Sequence, residues 1–404
     1  MSASADFDVA IVGAGIVGAT LALLLAEQGR VQPARIAVIE PVPPVRPATG
    51  SPIGLRVSAI APGSRAHLAR LGVWSRLDPT RIAAYERMRV WHEAVPPDSP
   101  DVLVFDAAEA GEPDLGCIVE NAALQAALLA ACHECGVHVL SATLQSLRVD
   151  ADGALLTLDS GALHAELAVG ADGANSAARR MLEISSTQQE YGQRAIVATV
   201  RTARPHHHTA WQRFLNTGPL ALLPLPGDMV SIVWSATAGR AAELMDLPPE
   251  QFSAALTAAS AGVLGALSLA SERAMFPLRR LAANQYVRPR IALVGDAAHV
   301  IHPLAGQGVN QGVEDAAALA AALAARPPRE SVGALPALLR YQRERRAGNA
   351  LVDGVVDGLD RLFTRPPGPL SWLAREGMAL VARSSVARRL LVRQAAAGRS
   401  SPRR

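Results

Sequence analysis

Two glycine-rich segments that lie almost a whole chain apart are the feature that most constrains this sequence of 404 residues. The first runs from Val9 to Gly18 and the second from Pro289 to Gly312. Each begins with a short apolar run typical of a buried strand and continues into a helical pattern. Glycine-rich turns between a strand and a helix bind nucleotide phosphates through free backbone amides. We therefore expect one extended cofactor that contacts both ends of the chain.

The first segment has the order strand, G-x-G-x-x-G, helix, with Phe7 to Val12 as the strand and Ala19 to Gln28 as the helix. This order is typical of a dinucleotide site. Gly13 permits the tight turn, Gly15 lets the backbone approach a pyrophosphate, and Gly18 lets the helix pack closely on the strand. The pattern predicts a Rossmann-like unit at the N-terminus.

A second strand, Arg35 to Glu40, ends in a carboxylate. A carboxylate at this position accepts hydrogen bonds from the adenosine ribose hydroxyls, so Glu40 is the predicted ribose ligand. The alternative for Val9 to Ala26 is a transmembrane helix or signal segment, because this uncharged run is about long enough to span a bilayer. Asp6 and Asp8 in place of basic residues, and the lack of a cleavage-like site, disfavour that alternative.

A third nucleotide-related segment, Leu167 to Arg180, lies in the middle of the chain. An apolar strand leads to Asp172, and Ser176 and Arg179 follow at the spacing of an opening helical turn. Taken alone, this pattern has an equally good alternative, in which Asp172 and Ser176 only cap the helix.

Composition favours a soluble enzyme and excludes several kinds of chemistry. Half of the residues are hydrophobic, which is enough for one or two sizeable cores. All 39 basic residues are arginine, so a lysine Schiff base or lysine nucleophile is excluded. A net charge of +3 without a basic patch of interleaved aromatics argues against nucleic acid as a partner.

Cysteine and histidine patterns do not predict a metal site. Cys117, Cys132 and Cys135 are too few for a disulfide framework, and no second pair completes a zinc site with Cys132 and Cys135. We expect reduced thiols in a cytoplasmic protein. The run His206 to His208 is expected to be a solvated loop, because no acidic or thiol partner is near it in sequence.

The three segments, in this order, resemble the single-component FAD-dependent aromatic hydroxylases, the family of para-hydroxybenzoate hydroxylase. The motifs are G-x-G-x-x-G, G-A-D-G-x-x-S-x-x-R and G-D-A-A-H…P-x-x-G-Q-G-x-N, and the resemblance covers Asp6 to about Arg346. Within that family the chain is most similar to the ubiquinone-biosynthesis hydroxylases that act on a polyprenylphenol. Six segments carry this narrower resemblance: Leu55–Ile60, Leu71–Trp74, Pro224–Pro226, Ser231–Ser235, Phe276–Leu278 and Ile301–Asn310.

The resemblance implies an α/β fold in which a Rossmann-like FAD-binding domain interleaves with a β-sheet substrate domain, followed by C-terminal helices. Strand patterns at Ala195 to Val200, Leu220 to Leu223 and Val230 to Trp234, the last two joined by a turn, favour such a sheet. The expected domains are 1–180 with 276–346 for FAD, 181–275 for substrate and 347–404 for the helical region, part of 70–110 being open between the first two.

By resemblance, Asp296 hydrogen-bonds the ribityl hydroxyls of FAD. After Pro303 the chain would turn through Gly306 and Gly308 into a helix from Val309 to Ala325, whose positive N-terminus would stabilise the negative charge of reduced flavin. The alternative, in which the glycines only cap and pack a helix, explains Gly308 but not Asp296. The full set of expected cofactor-binding residues is Gly13, Gly15, Gly18, Glu40, Arg56, Gln125, Asp172, Asp296, Pro303, Gly306, Gly308 and Asn310.

The assignments of Arg56 and Gln125 need a separate argument. Arg56 matches an arginine that reaches the cofactor in the family, although a lone arginine is more often a surface charge. The family often has arginine at the position of Asn121, so this sequence departs there. Gln125, one helical turn further on, then becomes the better hydrogen-bonding candidate.

The resemblance implies that reduced FAD and O2 form a C4a-hydroperoxide, which hydroxylates a prenylated phenol or quinol ring in ubiquinone biosynthesis. Electrons would come from NAD(P)H or another donor, and the site must exclude water. No acid or base is indispensable, and His302 is the one titratable candidate; it can equally serve to pack the loop. Two other functions stay open: hydroxylation of a soluble aromatic acid, and a non-catalytic flavin-binding role in a biosynthetic complex.

The C-terminal tail is basic and amphipathic, with Arg388 to Arg393 and a final Arg403–Arg404. Such a tail can lie on anionic lipid, which would suit a prenylated substrate stored in the inner membrane. Docking to a partner enzyme and a frayed, solvated end are equally good alternatives.

Overall fold

The computed structural model describes residues 5–300 and 307–364 of the chain. Three of the expected site residues, His302, Pro303 and Gly306, lie outside the described residues, and so does the basic tail.

The helices begin in the first glycine-rich segment and end beyond the last one. In chain order they are α1 (Ile16–Glu27), α2 (Pro62–Arg70), α3 (Ala107–Ala110), α4 (Asn121–Cys135), α5 (Ala177–Met181), α6 (Ala238–Asp246), α7 (Pro249–Ala259), α8 (Gln307–Ala324) and α9 (Leu335–Thr364). None of these described helices is both long and apolar enough to cross a membrane.

The strands form three sheets. In chain order they are β1 (Phe7–Val12), β2 (Ile36–Ile39), β3 (Val57–Ile60), β4 (Ala83–Tyr85), β5 (Arg87–His92), β6 (Leu103–Asp106), β7 (Gly116–Glu120), β8 (His138–Leu140), β9 (Leu144–Val149), β10 (Ala154–Leu158), β11 (Gly161–Gly170), β12 (Ser186–Thr202), β13 (Thr209–Leu215), β14 (Gly218–Leu225), β15 (Met229–Thr237), β16 (Leu267–Leu269), β17 (Ala274–Ala283), β18 (Val287–Arg288), β19 (Ile291–Leu293) and β20 (His299–Val300).

An eight-stranded sheet with the order β18-β19-β11-β1-β2-β8 forms the nucleotide-binding half, and β9 and β10 extend it beside β11. Its central strands β19, β11, β1 and β2 run parallel to one another. Parallel strands with both faces covered are apolar throughout, and Val9, Ala10 and Ile11 of β1 are fully buried. Helix α1 begins at Ile16, earlier than the sequence pattern predicts, because Gly15 already serves as its N-cap.

A nine-stranded sheet has the order β20-β17-β12-β15-β14-β13-β5-β6, with β16 beside β12. The predicted hairpin is confirmed as β14 and β15, which pair antiparallel through Leu222 and Ile232. Helices α6 and α7 cover one face, where the ring centroids of Trp234 and Phe252 lie 5.9 Å apart. The sheet also takes in β5, β6 and β17, and the expected domain borders at residues 181, 276 and 347 stay a prediction.

A small sheet with the order β3-β7-β4 contacts β14 of the nine-stranded sheet on one hand and helices α4 and α8 on the other. Its residues Ala59, Ala83 and Ile118 form one buried cluster with Leu225 of β14. Strand β7 leads directly into α4, which packs against α1. The small sheet therefore connects the nucleotide-binding half to the nine-stranded sheet.

Helix α8 crosses α1 at a contact that admits no side chain on Gly312. A Cβ on Gly312 would overlap Cγ2 of Val17. Since valine has little rotamer freedom in a helix, the overlap cannot be relieved by a side-chain rotation.

We expect Gly312→Ala to destabilise the fold by about 1–3 kcal/mol through overpacking. The midpoint of thermal unfolding measures this loss. Gly239→Ala in α6 is the matched control, because its Cβ would meet no atom within 4 Å, and it should leave the midpoint unchanged or raise it. Equal midpoints for both variants would contradict the close crossing.

Candidate active site

Four parallel strands end side by side, and each end leads to a residue predicted from the sequence. Strand β1 leads to Gly13, β2 to Glu40, β11 to Asp172 and β19 to Asp296. Backbone hydrogen bonds of 2.8 to 3.0 Å continue the pairing across these ends. Glu40 and Asp296 occupy the two ends of this row, three strand spacings or about 14 Å apart. An extended dinucleotide can lie along such a row.

The glycine fingerprint forms a cradle that excludes side chains. Gly13 has a φ of +103°, a conformation that favours glycine, and a Cβ on it would lie 2.6 Å from the carbonyl oxygen of Ala171. A Cβ on Gly18 would overlap the carbonyl oxygen of Gly13. The tight turn predicted at Gly13 and the close packing predicted at Gly18 are therefore confirmed.

The cradle is open at Gly15. The described atom nearest to the position of a Cβ on Gly15 is Nε2 of Gln125, at 3.9 Å. Asn121, one turn earlier on α4, instead accepts a hydrogen bond of 2.7 Å from the Ser58 hydroxyl. The amide of Gln125 thus faces the loop where a pyrophosphate is expected, and the amide oxygen of Asn121 is occupied within the protein.

The Glu40 carboxylate lies against the glycine cradle. Its Oε2 accepts a hydrogen bond of 2.9 Å from the backbone N–H of Ala14. A carboxylate oxygen has two lone pairs, so this bond fixes the side chain and still leaves acceptor capacity for ribose hydroxyls.

Asp172 and Ser176 cap α5, as the alternative reading of the middle motif predicts. Asp172 Oδ2 accepts from the N–H of Ala178 at 3.0 Å, and Ser176 Oγ accepts from the N–H of Arg179 at 2.9 Å. Asp172 Oδ1 is buried and has no hydrogen-bond partner among the described residues. Capping therefore accounts for one of its two oxygens, and a cofactor contact through the other stays a prediction.

Arg179 links the middle motif to the late one. The residue is 4% exposed, and its guanidinium donates to the carbonyl oxygens of Ala297 at 2.7 Å and Ala174 at 2.8 Å. A side chain held in this way fixes the turn at Asp172 against the turn at Asp296.

Asp296 is accessible to solvent, although protein surrounds its carboxylate on most sides. Desolvation raises the pKa of Asp296 above its ordinary value, and the charges of His299 and Arg56 act in the opposite direction. The Arg56 side chain is exposed, and its charge acts on Asp296, so the guanidinium and the carboxylate lie near each other. Together they offer donors and acceptors for the hydroxyls and carbonyls of a bound cofactor.

A buried charge network that the sequence analysis missed holds Asp296 in place. Asp315 of α8 is fully buried and accepts three hydrogen bonds, from the N–H of Gly295 at 2.9 Å, from His299 Nε2 at 2.5 Å and from Arg345 Nε at 2.6 Å. The ring of Tyr286 stacks on His299 with centroids 5.8 Å apart. The signal available in the sequence is the pair Glu314–Asp315 at the start of the alanine-rich part of α8, where a buried carboxylate requires partners.

Asn310 anchors the first turns of α8. Its Oδ1 accepts from the N–H of Ala61 at 2.9 Å, and its Nδ2 donates to the carbonyl oxygen of Ala59 at 2.8 Å. The side chain is buried against β3, so a direct contact with the cofactor, as expected from the resemblance, would depend on its remaining N–H or its backbone. Among the described residues, no atom lies within 4 Å of the position of a Cβ on Gly308.

The histidine run is less solvated than expected. His206 is 9% exposed, and its Nε2 lies 2.9 Å from the carbonyl oxygen of Leu225 and 3.0 Å from that of Gly227. His208 Nδ1 lies 3.2 Å from the carbonyl oxygen of Ala84. The His208 contact reaches the small sheet, and both His206 contacts lie at the β14–β15 turn of the nine-stranded sheet. The prediction of a solvated loop is wrong for His206. Within the described residues no group of His, Cys, Asp and Glu could hold a metal ion.

Comparison with known proteins agrees with this geometry. Residues 6–354 match the family described as FAD binding domain. The chain is 38% identical to the ubiquinone hydroxylase UbiL of Rhodospirillum rubrum, over 98% of this chain and 90% of that protein. It is 36% identical to the 3-demethoxyubiquinol 3-hydroxylase of Escherichia coli, over 96% and 98% respectively. The solved structure of P. aeruginosa PqsL in complex with 2-aminobenzoylacetate is 25% identical, with a TM-score of 0.73 over 94% of this chain and 100% of PqsL.

Fold and site define an FAD-dependent aromatic monooxygenase, and the interleaved α/β fold expected from the sequence is confirmed. Within that class, the sequence identity to ubiquinone hydroxylases extends over nearly the whole length of the chain. The chain belongs to the family of ubiquinone-biosynthesis flavin hydroxylases.

The charge network predicts a particular pH dependence of stability. Burial alone would lower the pKa of His299, but the Asp315 carboxylate outweighs this effect and raises the pKa above its ordinary value. A histidine with a raised pKa stabilises the folded state fully below the unfolded pKa of about 6.5, and this contribution is lost as the pH rises through the folded pKa. The pKa of Asp315 is lowered, so this group changes the free energy of unfolding only in the acid range and does not make it vary with pH above pH 6.

We expect the advantage of the wild-type protein over His299→Gln to decrease between pH 6 and pH 9. Urea unfolding midpoints, followed by far-ultraviolet circular dichroism at several pH values, measure the difference. A difference that is independent of pH would show that His299 does not gain a proton on folding.

Proposed function

We propose that the protein is an FAD-dependent monooxygenase that hydroxylates the aromatic ring of a polyprenylated phenol or quinol in ubiquinone biosynthesis. The observation that carries the proposal is the row of strand ends that sets Glu40, Gly13, Asp172 and Asp296 along one edge of a parallel sheet. The similarity to ubiquinone hydroxylases of two bacteria supports the pathway and the kind of substrate.

The described residues fit FAD in an extended conformation. Glu40 would accept hydrogen bonds from the ribose hydroxyls, the open cradle at Gly15 with Gln125 would receive the pyrophosphate, and Asp296 would bind the ribityl chain. Arg56 would reach the same cofactor from the opposite side of the cleft. When bound, FAD activates dioxygen and supplies the oxygen atom that enters the ring.

The open face of the nine-stranded sheet supports an uncharged, apolar substrate. Ile196 and Trp234 point into the core under α6 and α7, so their neighbours Val197 and Val233 point to the opposite face. Val197, Val233 and Ala221 pair side by side on β12, β15 and β14, and each is only partly buried. These three side chains form a small apolar wall, with the buried hydroxyls of Thr199 and Ser231 next to it on the same face. The wall would accommodate a prenylated ring.

The same face is turned towards the nucleotide-binding half. Leu223 and Met229 at its end pack against the cluster that contains Ala59 and Ile118 of the small sheet. Because β3 of that sheet directly follows Arg56, the apolar wall and the cofactor residues would border one cleft. This arrangement supports a ring held between the wall and the flavin.

The alternative substrate, a soluble aromatic acid, would require a cation on this wall. Arg201 and Arg213 are the candidates in sequence. The Arg213 guanidinium donates to the carbonyl oxygens of Ala259 at 2.8 Å and Glu93 at 3.2 Å. It pairs with Leu220 on the side of the sheet covered by helices. Arg201 shares the open face, but it is exposed and lies at the end of that face beside Met229. Neither arginine therefore lies at the centre of the wall, which supports the prenylated substrate.

We propose further that NAD(P)H or another donor reduces the flavin, and that the cytoplasmic protein contacts the inner membrane or other enzymes of the pathway peripherally. The basic amphipathic tail supports such a contact, because Arg388 to Arg393 would be attracted to anionic lipid.

Asp296→Ala should weaken FAD binding about 10- to 100-fold, because hydrogen bonds to a charged acceptor contribute roughly 1.5–3 kcal/mol. Titration of the apoprotein with FAD, followed by quenching of flavin fluorescence, gives the dissociation constant. Asp246→Ala, at an exposed carboxylate at the end of α6, is the control. Equal affinity of both variants would remove Asp296 from the cofactor site.

Deletion of the gene should stop quinone synthesis at an under-hydroxylated prenylphenol, and mass spectrometry of lipid extracts should identify the ring carbon. Complementation with the Asp296→Ala variant should restore less quinone than complementation with Asp246→Ala. An unchanged quinone profile in the deleted strain would favour a different aromatic substrate.

A further inference from the structure

The segment between Glu40, at one end of the cofactor row, and Arg56 has no regular structure. It runs from Pro41 to Arg56 and joins Glu40 to β3. Its first part is exposed to solvent, with Val42 at 77% and Val45 at 84% exposure. An irregular segment of this length loses much conformational entropy when it is fixed in one position. Contacts elsewhere in the protein must therefore determine where Arg56 lies.

One buried ion pair supplies those contacts. Arg81 NH2 lies 2.5 Å from Glu120 Oε2, and the side chains are 11% and 6% exposed. Arg81 NH1 donates to the carbonyl oxygen of Ser51 at 2.7 Å, and Arg81 NH2 to that of Pro52 at 3.3 Å. Glu120 Oε1 accepts from the N–H of Gly54 at 2.9 Å. The pair thus holds the backbone of the segment at three successive points just before Arg56.

The fit of Gly54 against the carboxylate is close. A Cβ on Gly54 would lie 2.8 Å from Glu120 Oε1. A side chain at this position would separate the segment from Glu120. Glycine at position 54 therefore allows the backbone to contact the carboxylate. The contact is therefore specific to this carboxylate and is more than general packing.

The point where β7 ends and α4 begins also binds the backbone of Arg56. Glu120 is the last residue of β7, and the N–H of the next residue, Asn121, donates to the carbonyl oxygen of Arg56 at 2.9 Å. Asn121 begins α4, the helix that carries Gln125 to the glycine cradle. Glu120 and Asn121 together therefore fix Arg56 relative to the cradle.

We propose that Arg81 and Glu120 are positioning residues that hold Arg56 against the bound cofactor. The proposal rests on the cofactor contact proposed for Arg56. Neither residue of the pair reaches the cofactor in this reading; both act through the backbone of residues 51–56. A buried ion pair contributes little net stability when its desolvation is counted, which agrees with a role in placing a segment.

A double-mutant cycle separates positioning from general stability. Four proteins are compared: the wild type, Arg56→Met, Arg81→Met and the double variant. The FAD dissociation constant of each apoprotein and its thermal unfolding midpoint are measured. Arg81→Met should weaken FAD binding about five- to fiftyfold in the wild-type background and less than about twofold in the Arg56→Met background, the coupling expected of residues that act as one unit.

Arg87→Met is the matched control, since its ion pair with Asp106 is more exposed and lies on the nine-stranded sheet. It should leave FAD affinity unchanged. If Arg81→Met does not fold, Glu120→Gln takes its place, because an amide keeps the oxygen that accepts from Gly54; the same non-additivity is then expected with a smaller loss.

The outcomes distinguish this proposal from the one on which it rests. If Arg56→Met binds FAD like the wild type, the proposed contact of Arg56 fails, and with it the positioning role. If Arg56→Met weakens binding but Arg81→Met weakens it equally in both backgrounds, Arg56 keeps its role and the positioning proposal is overturned. A lower unfolding midpoint for Arg81→Met with unchanged FAD affinity would also overturn it, since the pair would then serve stability alone.

Discussion

Parallel pairing of β19, β11, β1 and β2 is the constraint on which the rest of the structure depends. Because these strands point in one direction, their carboxyl ends meet at one edge and bring Gly13, Glu40, Asp172 and Asp296 into a row. Parallel neighbours also require long crossover connections. Between β11 and β19 the chain forms most of the nine-stranded sheet, so the apolar wall is built into a connection between two strands of the cofactor site. Both sides of the cleft therefore depend on one pairing pattern.

The second constraint is electrostatic, because a fully buried carboxylate is costly unless it is paired. Asp315 meets a histidine, an arginine and a backbone amide, which come from β20, α9 and the turn after β19. These three donors cannot all reach Asp315 unless α8 and α9 pack at one register against the turn of Gly295. Because Gly295 is held in this way, the network also fixes the direction of Asp296, which follows it. Through Arg345, the network connects α9 to the edge of the sheet where Asp296 lies.

Sequence patterns predicted the features that depend on residues close together in the chain. The glycine spacing at Gly13 to Gly18, the carboxylate at the end of β2 and the hairpin of β14 and β15 depend on neighbouring residues, and the structure has all of them. The partners of Asp315 and the ion pair of Arg81 with Glu120 could not be predicted, because they join residues from different elements and have no spacing of their own. Asp172 was ambiguous for a physical reason: the same carboxylate can cap α5 and face a ligand.

The small sheet of β3, β7 and β4 joins these separate constraints. Strand β3 begins directly after Arg56, and the side chain of Asn310 hydrogen-bonds the backbone of Ala59 and Ala61. The start of α8 and the irregular segment are therefore fixed to the same stretch of backbone. On its other side, Ala59 and Ile118 pack against the strands that carry the apolar wall. A displacement of this sheet would move Arg56 and the apolar wall together. In the proposed site, the distance between them would therefore be governed by the packing of these three short strands.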